Sequence, residues 1–210
     1  MGSTPTVLTI GHSRHPLERF IALLQEAQVT TLADVRSAPM SRFSPHFNRG
    51  ALAASLAAQG IAYIFLGKEL GGRPQQQRLF TAGVADYEKM AASAEFRVGL
   101  ARLTEAAERH RVAVMCSEAD PLDCHRCLLV GRALAGGGID VGHILASGAV
   151  VTHAQAEDRL LDLENLAEEG LLLRSRDERL AEAYRSRCRK VAYARADEPS
   201  APRDGTRHPD

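Results

Sequence analysis

The amino-acid sequence predicts an α/β fold of the Rossmann-like, doubly wound kind: a mainly parallel sheet with helices on both faces, followed by C-terminal helices. Three observations predict it. Short apolar runs suited to buried strands recur at residues 6–10, 30–35, 61–66, 111–116 and 140–145; segments with helical spacing lie between them; and Gly or Pro marks most junctions. Strands alternating with helices in this way imply right-handed crossovers and parallel neighbours.

Each element has its own warrant. The first strand ends at Gly11, and after a polar turn Pro16 suits the first helical position; Leu17, Phe20, Ile21 and Leu24 then share one face up to about Gln28. The second strand runs into a polar loop, residues 36–47, where Pro39 and Pro45 interrupt any helix. Asn48 is placed to cap a helix through Leu52 and Leu56 that stops at Gly60. After the third strand, the Gly-rich stretch 67–74 has no period and reads as a surface loop. Helical patterns follow at residues 87–90 and 95–110, the second with Phe96, Leu100, Leu103 and Ala107 aligned. Residues 111–116 are the clearest buried strand, and residues 124–135 the helix behind it. From about Val151 the pattern turns helical: Leu160, Leu163 and Leu166 share a face, and Leu180 and Tyr184 lie on a later, Arg-rich helix. The expected organisation is a Rossmann-like domain over 1–150, a helical extension packed on it over 151–193, and a disordered tail over 194–210 that lacks an apolar period.

Composition excludes several classes. With 26 basic and 26 acidic residues the net charge is zero, so the chain does not coat nucleic acid by charge alone and any anion site is local. No apolar run approaches the ~20 residues of a membrane-spanning helix, and residues 1–6 lack the features of a secretory signal. Four cysteines, three of them crowded at 116, 124 and 127, suit a reducing compartment and a local site; a cytoplasmic location is expected.

In open α/β sheets ligands bind beyond the carboxyl ends of the strands. The first strand delivers His12, Ser13 and Arg14 there; the second delivers Asp34, Arg36 and Ser37, then Arg42; the third delivers Lys68 and Glu69, with Arg73 after the glycines; the fourth delivers Cys116, Ser117 and Glu118. Any one of these is ordinarily a solvated turn. Four together point to one rim. Asp34, at a strand end, calls for a cationic partner such as Arg36. A thiol at position 116, before a helix N-terminus and near His125 and Arg126, is a candidate thiolate nucleophile. Glu118 suits acid–base work, and Arg126 suits bidentate anion binding.

Other readings stay open. Cys116, Cys124 and Cys127, with Cys124 and Cys127 at i, i+3 on one helical face, could hold zinc or iron together with His12 or His125, although this spacing is not a standard zinc motif. The cysteines could equally be small core residues. The basic residues between Arg174 and Lys190 could meet nucleic acid, but a charge run on a terminal helix is more often a solvated face.

The sequence resembles the family called domain of unknown function 488 over roughly Leu8 to Leu161. The matching motifs are Thr9-Ile-Gly-His-Ser13, Asp34-Val-Arg-Ser37 with Pro39 and Ser41-Arg42, Leu66-Gly-Lys-Glu-Leu-Gly-Gly-Arg73, Tyr87 with Met90 and Phe96, Cys116-Ser-Glu118 with Pro121 and Cys124-His-Arg126, and His143-Ile144 with Gly148 and His153. The resemblance implies a Rossmann-like fold with a polar pocket built from His12, Asp34, Arg36, Arg42, Cys116, Glu118, His125 and Arg126; Cys127 lies outside its pattern. The leading expectation is an enzyme, hydrolase or transferase, that needs no cofactor. Cys116 attacks, Glu118 or His12 transfers protons beside Asp34, and Arg36, Ser37, Arg42, Arg73, His125 and Arg126 bind a small anionic, phosphate-bearing or nucleotide-like substrate. The alternatives are a zinc or iron protein using Cys116, Cys124 and His125, and a non-catalytic nucleotide or nucleic-acid binding module.

Overall fold

A computed structural model describes residues 7–167 and 174–195. Eight strands run in chain order: β1 (Val7–Gly11), β2 (Thr31–Asp34), β3 (Ala62–Phe65), β4 (Phe80–Thr81), β5 (Val84–Ala85), β6 (Val112–Cys116), β7 (Val141–Ile144) and β8 (Val150–Thr152); β4 and β5 form a separate two-stranded ribbon, and the other six make the central sheet. The spatial order is β3-β2-β6-β1-β7-β8, with every pair parallel except β7 and β8. The Rossmann-like α/β expectation is met. Because β8 reaches Thr152, the sheet crosses the expected domain limit at residue 150.

Side chains alternate along each strand, and this parity decides what meets what. Leu8, Ile10, Leu32, Ala113 and Met115 face α1 (Leu17–Glu26) and α2 (Arg49–Ala57), whose Phe20, Leu24, Leu52 and Leu56 complete one core. Val7, Ala33, Val112, Val114 and Cys116 face the other way, toward α3 (Tyr87–Ala91), α4 (Ala94–Arg109) and the helices after β6. Those helices are a π-helical segment Arg126–Gly131, α5 (Arg132–Gly136), α6 (His153–Leu163) and α7 (Arg176–Val191). Leu180, Ala183 and Tyr184 of α7 belong to the same core as β6.

Several local expectations change. Asn48 stands at the start of α2 without capping it; its Oδ1 accepts the Ser41 N–H at 2.6 Å instead. The helix expected over 124–135 begins with a π-helical turn. On α6, Leu160 and Leu161 are buried while Leu163 is exposed. Within the expected tail, Ala194 bridges Val84 and the Arg195 N–H donates to the Gly83 carbonyl; the rest of that segment, like Thr6 of the first strand, lies outside the described residues. Among the described residues no helix is long and apolar enough to cross a membrane.

Candidate active site

A cavity of about 300 Å³ opens beyond the C-terminal ends of β2 and β6, walled by Arg36, Ser37, Gly72, Arg73, Tyr87, Cys116, Glu118, Cys124, His125 and Tyr193 among others. Parity puts Cys116 on the helical side that holds Cys124 and His125. Its sulfur lies 3.6 Å from His125 Nδ1, and Cys124 Sγ lies 3.9 Å from the same atom. The other ring nitrogen, Nε2, donates to the Val35 carbonyl at 3.0 Å, which fixes the ring. Gly72 packs on that ring so closely that a Cβ there would stand 2.8 Å from His125 Cγ.

Cys124 is the residue on which the electrostatics converge. It precedes the helical segment with extended backbone, φ −139° and ψ 139°, and its Sγ accepts the Arg126 N–H at 3.4 Å, the position of an N-cap side chain. A 2.9 Å hydrogen bond joins the same sulfur to Glu118 Oε2. Burial opposes a charge on Cys124, but the hydrogen bond from Cys116, the Arg126 guanidinium and His125 outweigh it and draw its thiol well below the usual range. Cys116 moves the opposite way, held up by its hydrogen bond to Cys124, then by burial and by Glu118. The two thiols shift in opposite directions, so Cys124 is the one its surroundings favour as thiolate. Glu118 is raised by desolvation and by that charge, and His125 is raised, against its burial, by the bond to Cys124. The shifts run in the direction that favours a Cys124 thiolate beside a protonated His125, with the Glu118 carboxyl raised next to them.

The remaining expected residues divide. Arg36, Ser37 and Arg73 line the cavity; Ser37 Oγ accepts the Arg73 N–H at 3.0 Å, and the Arg73 guanidinium lies 5.2 Å over the Tyr193 ring. Asp34 does not line it. Fully buried, it takes Arg36 Nη2–H at 2.6 Å and the Tyr63 hydroxyl at 2.7 Å, while Arg36 Nη2 also donates to the Phe47 carbonyl. His12 also faces away, stacked on Phe47 at 4.3 Å with Nε2 3.4 Å from Arg36 Nη1. Burial and Arg36 lower its pKa to about 4, so it stands neutral. Arg126 is fully buried and clasps the Glu118 and Ala119 carbonyls at 2.6 and 2.9 Å, holding the turn after β6 rather than presenting itself to the cavity. Arg42 is exposed on the 36–47 loop between Met40 and Phe43, outside the cavity wall.

Cys127 does not join Cys116 and Cys124. The i, i+3 argument assumes both residues are helical, and Cys124 is the extended cap, so the two side chains part company. Cys127 Sγ lies instead 3.7 Å from His143 Nε2, itself 3.1 Å from His153 Nδ1, in a second buried cluster. Burial, His153 and Arg126 depress His143 to about 3. The two histidines carried a readable signal, one inside a strand and one at a helix start, both within the resemblance. Tyr193 carried none.

The basic residues near α7 are largely engaged within the chain: Arg176 with Asp158, Arg185 with Glu88, Arg187 with Asp123, and Arg174 with Glu182. A family model described as domain of unknown function DUF488 matches residues 16–133, more than half of the 210. No curated protein and no solved structure matches the chain.

Proposed function

The chain belongs to the domain of unknown function DUF488 family, and from that premise we propose that it is a thiol-dependent enzyme, hydrolase or transferase, for a small substrate bearing an anionic group. The observation that carries this reading is the Cys124 sulfur, capped by a backbone N–H, beside the His125 ring and on the wall of an open cavity. Attack forms a sulfur–substrate bond and breaks the bond to the leaving group, which takes its proton from Glu118; Glu118 then acts as base for water or a second acceptor. Cys116 positions the thiolate, a role exchanged with the one expected from sequence. Arg73, whose charge meets an aromatic ring and, among the described residues, no carboxylate within salt-bridge distance, and Arg36 address the anion. His12 and Asp34 support the rim from the other face of the sheet. Four free thiols suit a cytoplasmic setting.

Paired alkylating reagents test the proposal. Iodoacetate and iodoacetamide differ in charge at similar size, and at pH 6 Cys124 is expected to react ahead of Cys116, Cys127 and Cys188, faster with iodoacetate, with that preference lost in Arg73→Ala. Modification of Cys188 first sinks the thiolate; preference for the neutral reagent in the wild-type chain sinks the anion site.

A second reading has its own observation: one donor atom each from Cys116, Cys124 and His125 lie within 4.8 Å of one another, a spacing open to zinc or iron. Under it, bound metal is lost in Cys116→Ser.

A further inference from the structure

We propose that Cys127, His143 and His153 form a separate, buried site for a divalent transition-metal ion, zinc by ligand type. None of the three lines the strand-end cavity, so the inference stands independently of the thiol-enzyme reading. They come from three elements: the π-helical segment, β7, and the first residue of α6. Their donor atoms, Cys127 Sγ, His143 Nε2 and His153 Nδ1, all lie within 4.8 Å of one another.

The spacing is that of a coordination shell. Zinc bound tetrahedrally at about 2.3 Å to sulfur and about 2.0–2.1 Å to nitrogen separates two nitrogens by about 3.4 Å and sulfur from nitrogen by about 3.6 Å. The corresponding separations are 3.1 Å between the two imidazoles and 3.7 Å from Cys127 to His143.

The outer partners accommodate the tautomers that a metal requires. The Tyr184 hydroxyl donates to Glu157 Oε1 at 3.1 Å, which leaves its oxygen to accept from His153 Nε2–H at 3.0 Å. His153 Nδ1 therefore presents a lone pair inward, toward His143. The outer nitrogen of His143, Nδ1, meets Thr9 Oγ1 at 2.8 Å, an oxygen able to accept its N–H once a metal ion replaces the 3.1 Å imidazole–imidazole hydrogen bond and Nε2 becomes a ligand. Metal-bound histidines are held in this way, with the outer N–H on an oxygen. The backbone leaves room: at Gly131 a Cβ would stand 3.5 Å from His153 Nδ1 and 3.2 Å from the Arg126 carbonyl. Six residues of π-helix, a form that recurs at functional sites, bring Cys127 and Gly131 to this point. Binding replaces the Cys127 thiol proton, which leaves to solvent, and a solvent molecule completes the four ligands.

The test is metal content of the full chain purified without chelator, followed by cobalt titration of the metal-free protein. The wild type and the Cys116→Ser/Cys124→Ser double variant are each expected to retain an equivalent and to show the sulfur-to-cobalt charge-transfer band of a four-coordinate thiolate site. Cys127→Ser and His153→Gln are expected to lose it. If those variants fail to fold, the double variant decides alone, because zinc must protect its Cys127 from alkylation while leaving Cys188 unprotected. No zinc or cobalt uptake by the wild-type chain, or uptake abolished by the double substitution, overturns the proposal.

Discussion

Two Cys/His clusters occupy the same face of the sheet and differ in nearly every electrostatic respect. The rim cluster, Cys116, Cys124 and His125, opens on a cavity, and its surroundings lower the Cys124 thiol and raise His125, which favours the charged form of each. The inner cluster, Cys127, His143 and His153, starts two residues deeper, since Gly11 pairs with Cys116 and Thr9 with His143, a step of about 7 Å along the strands. There burial keeps the Cys127 thiol up and His143 down, so both are neutral. The same residue types are thus pushed toward neutral forms in one cluster and toward charged forms in the other. What separates them is access to hydrogen-bond donors: the rim sulfur receives a helix N-terminal N–H and a neighbouring thiol, while the inner sulfur meets a histidine ring nitrogen.

The largest expected effect breaks the rim's foundation. Asp34→Ala leaves the Arg36 guanidinium buried without its carboxylate and is expected to cost about 3–5 kcal/mol, read as a lowered melting temperature. A loss under ~1 kcal/mol would mean that the pair contributes little. Next, Cys124→Ser should reduce thiol alkylation at pH 6 roughly a hundredfold, because an ordinary thiol is mostly protonated there; unchanged reactivity would assign the charge elsewhere. Tyr184→Phe acts on the inner cluster alone. It removes the oxygen that orients His153 and should weaken zinc about 10–100-fold while leaving alkylation of Cys124 untouched.

The smallest effect is spectroscopic. In metal-free protein, imidazole resonances should show His125 still protonated above pH 6.5 and His143 neutral down to about pH 3. The signs for stability differ accordingly. His143, lowered on folding, contributes stability that is complete above about pH 6.5 and lost as pH falls toward 3; His125, raised on folding, contributes below pH 6.5 and loses its contribution as pH rises through its folded value. Coincident titrations would erase the distinction between the clusters.

The five parallel strands of the sheet, the helices between them and the gathering of several strand-end residues were legible because burial imposes period and parity on each strand; the three-residue antiparallel edge strand β8 and the two-residue β4 and β5 are too short to carry such a period. Side-chain targets were not. Arg126 reads equally as an anion ligand or as a clasp on carbonyls, and only the approach of the Glu118 main chain decides. His12 and Cys116 end adjacent parallel strands, yet the strand parity and the turn after Gly11 send their side chains to different surroundings. Cys124 and Cys127 are co-facial only if both are helical, and Cys124 is the extended residue ahead of the helix; cysteine is not among the residue types that mark an N-cap, so nothing in the sequence signals that start.

The π-helical turn makes the spacing between the two clusters a matter of chain length as well as composition. Each residue of an ordinary helix advances roughly 100° about the axis, so excising a single residue from Arg126–Gly131 would swing the capping sulfur and Cys127 by about that angle relative to α5. Taken from Leu128, Leu129 or Val130, such a deletion would preserve every cysteine and histidine of both clusters and still disconnect them, an outcome no substitution scan would reveal.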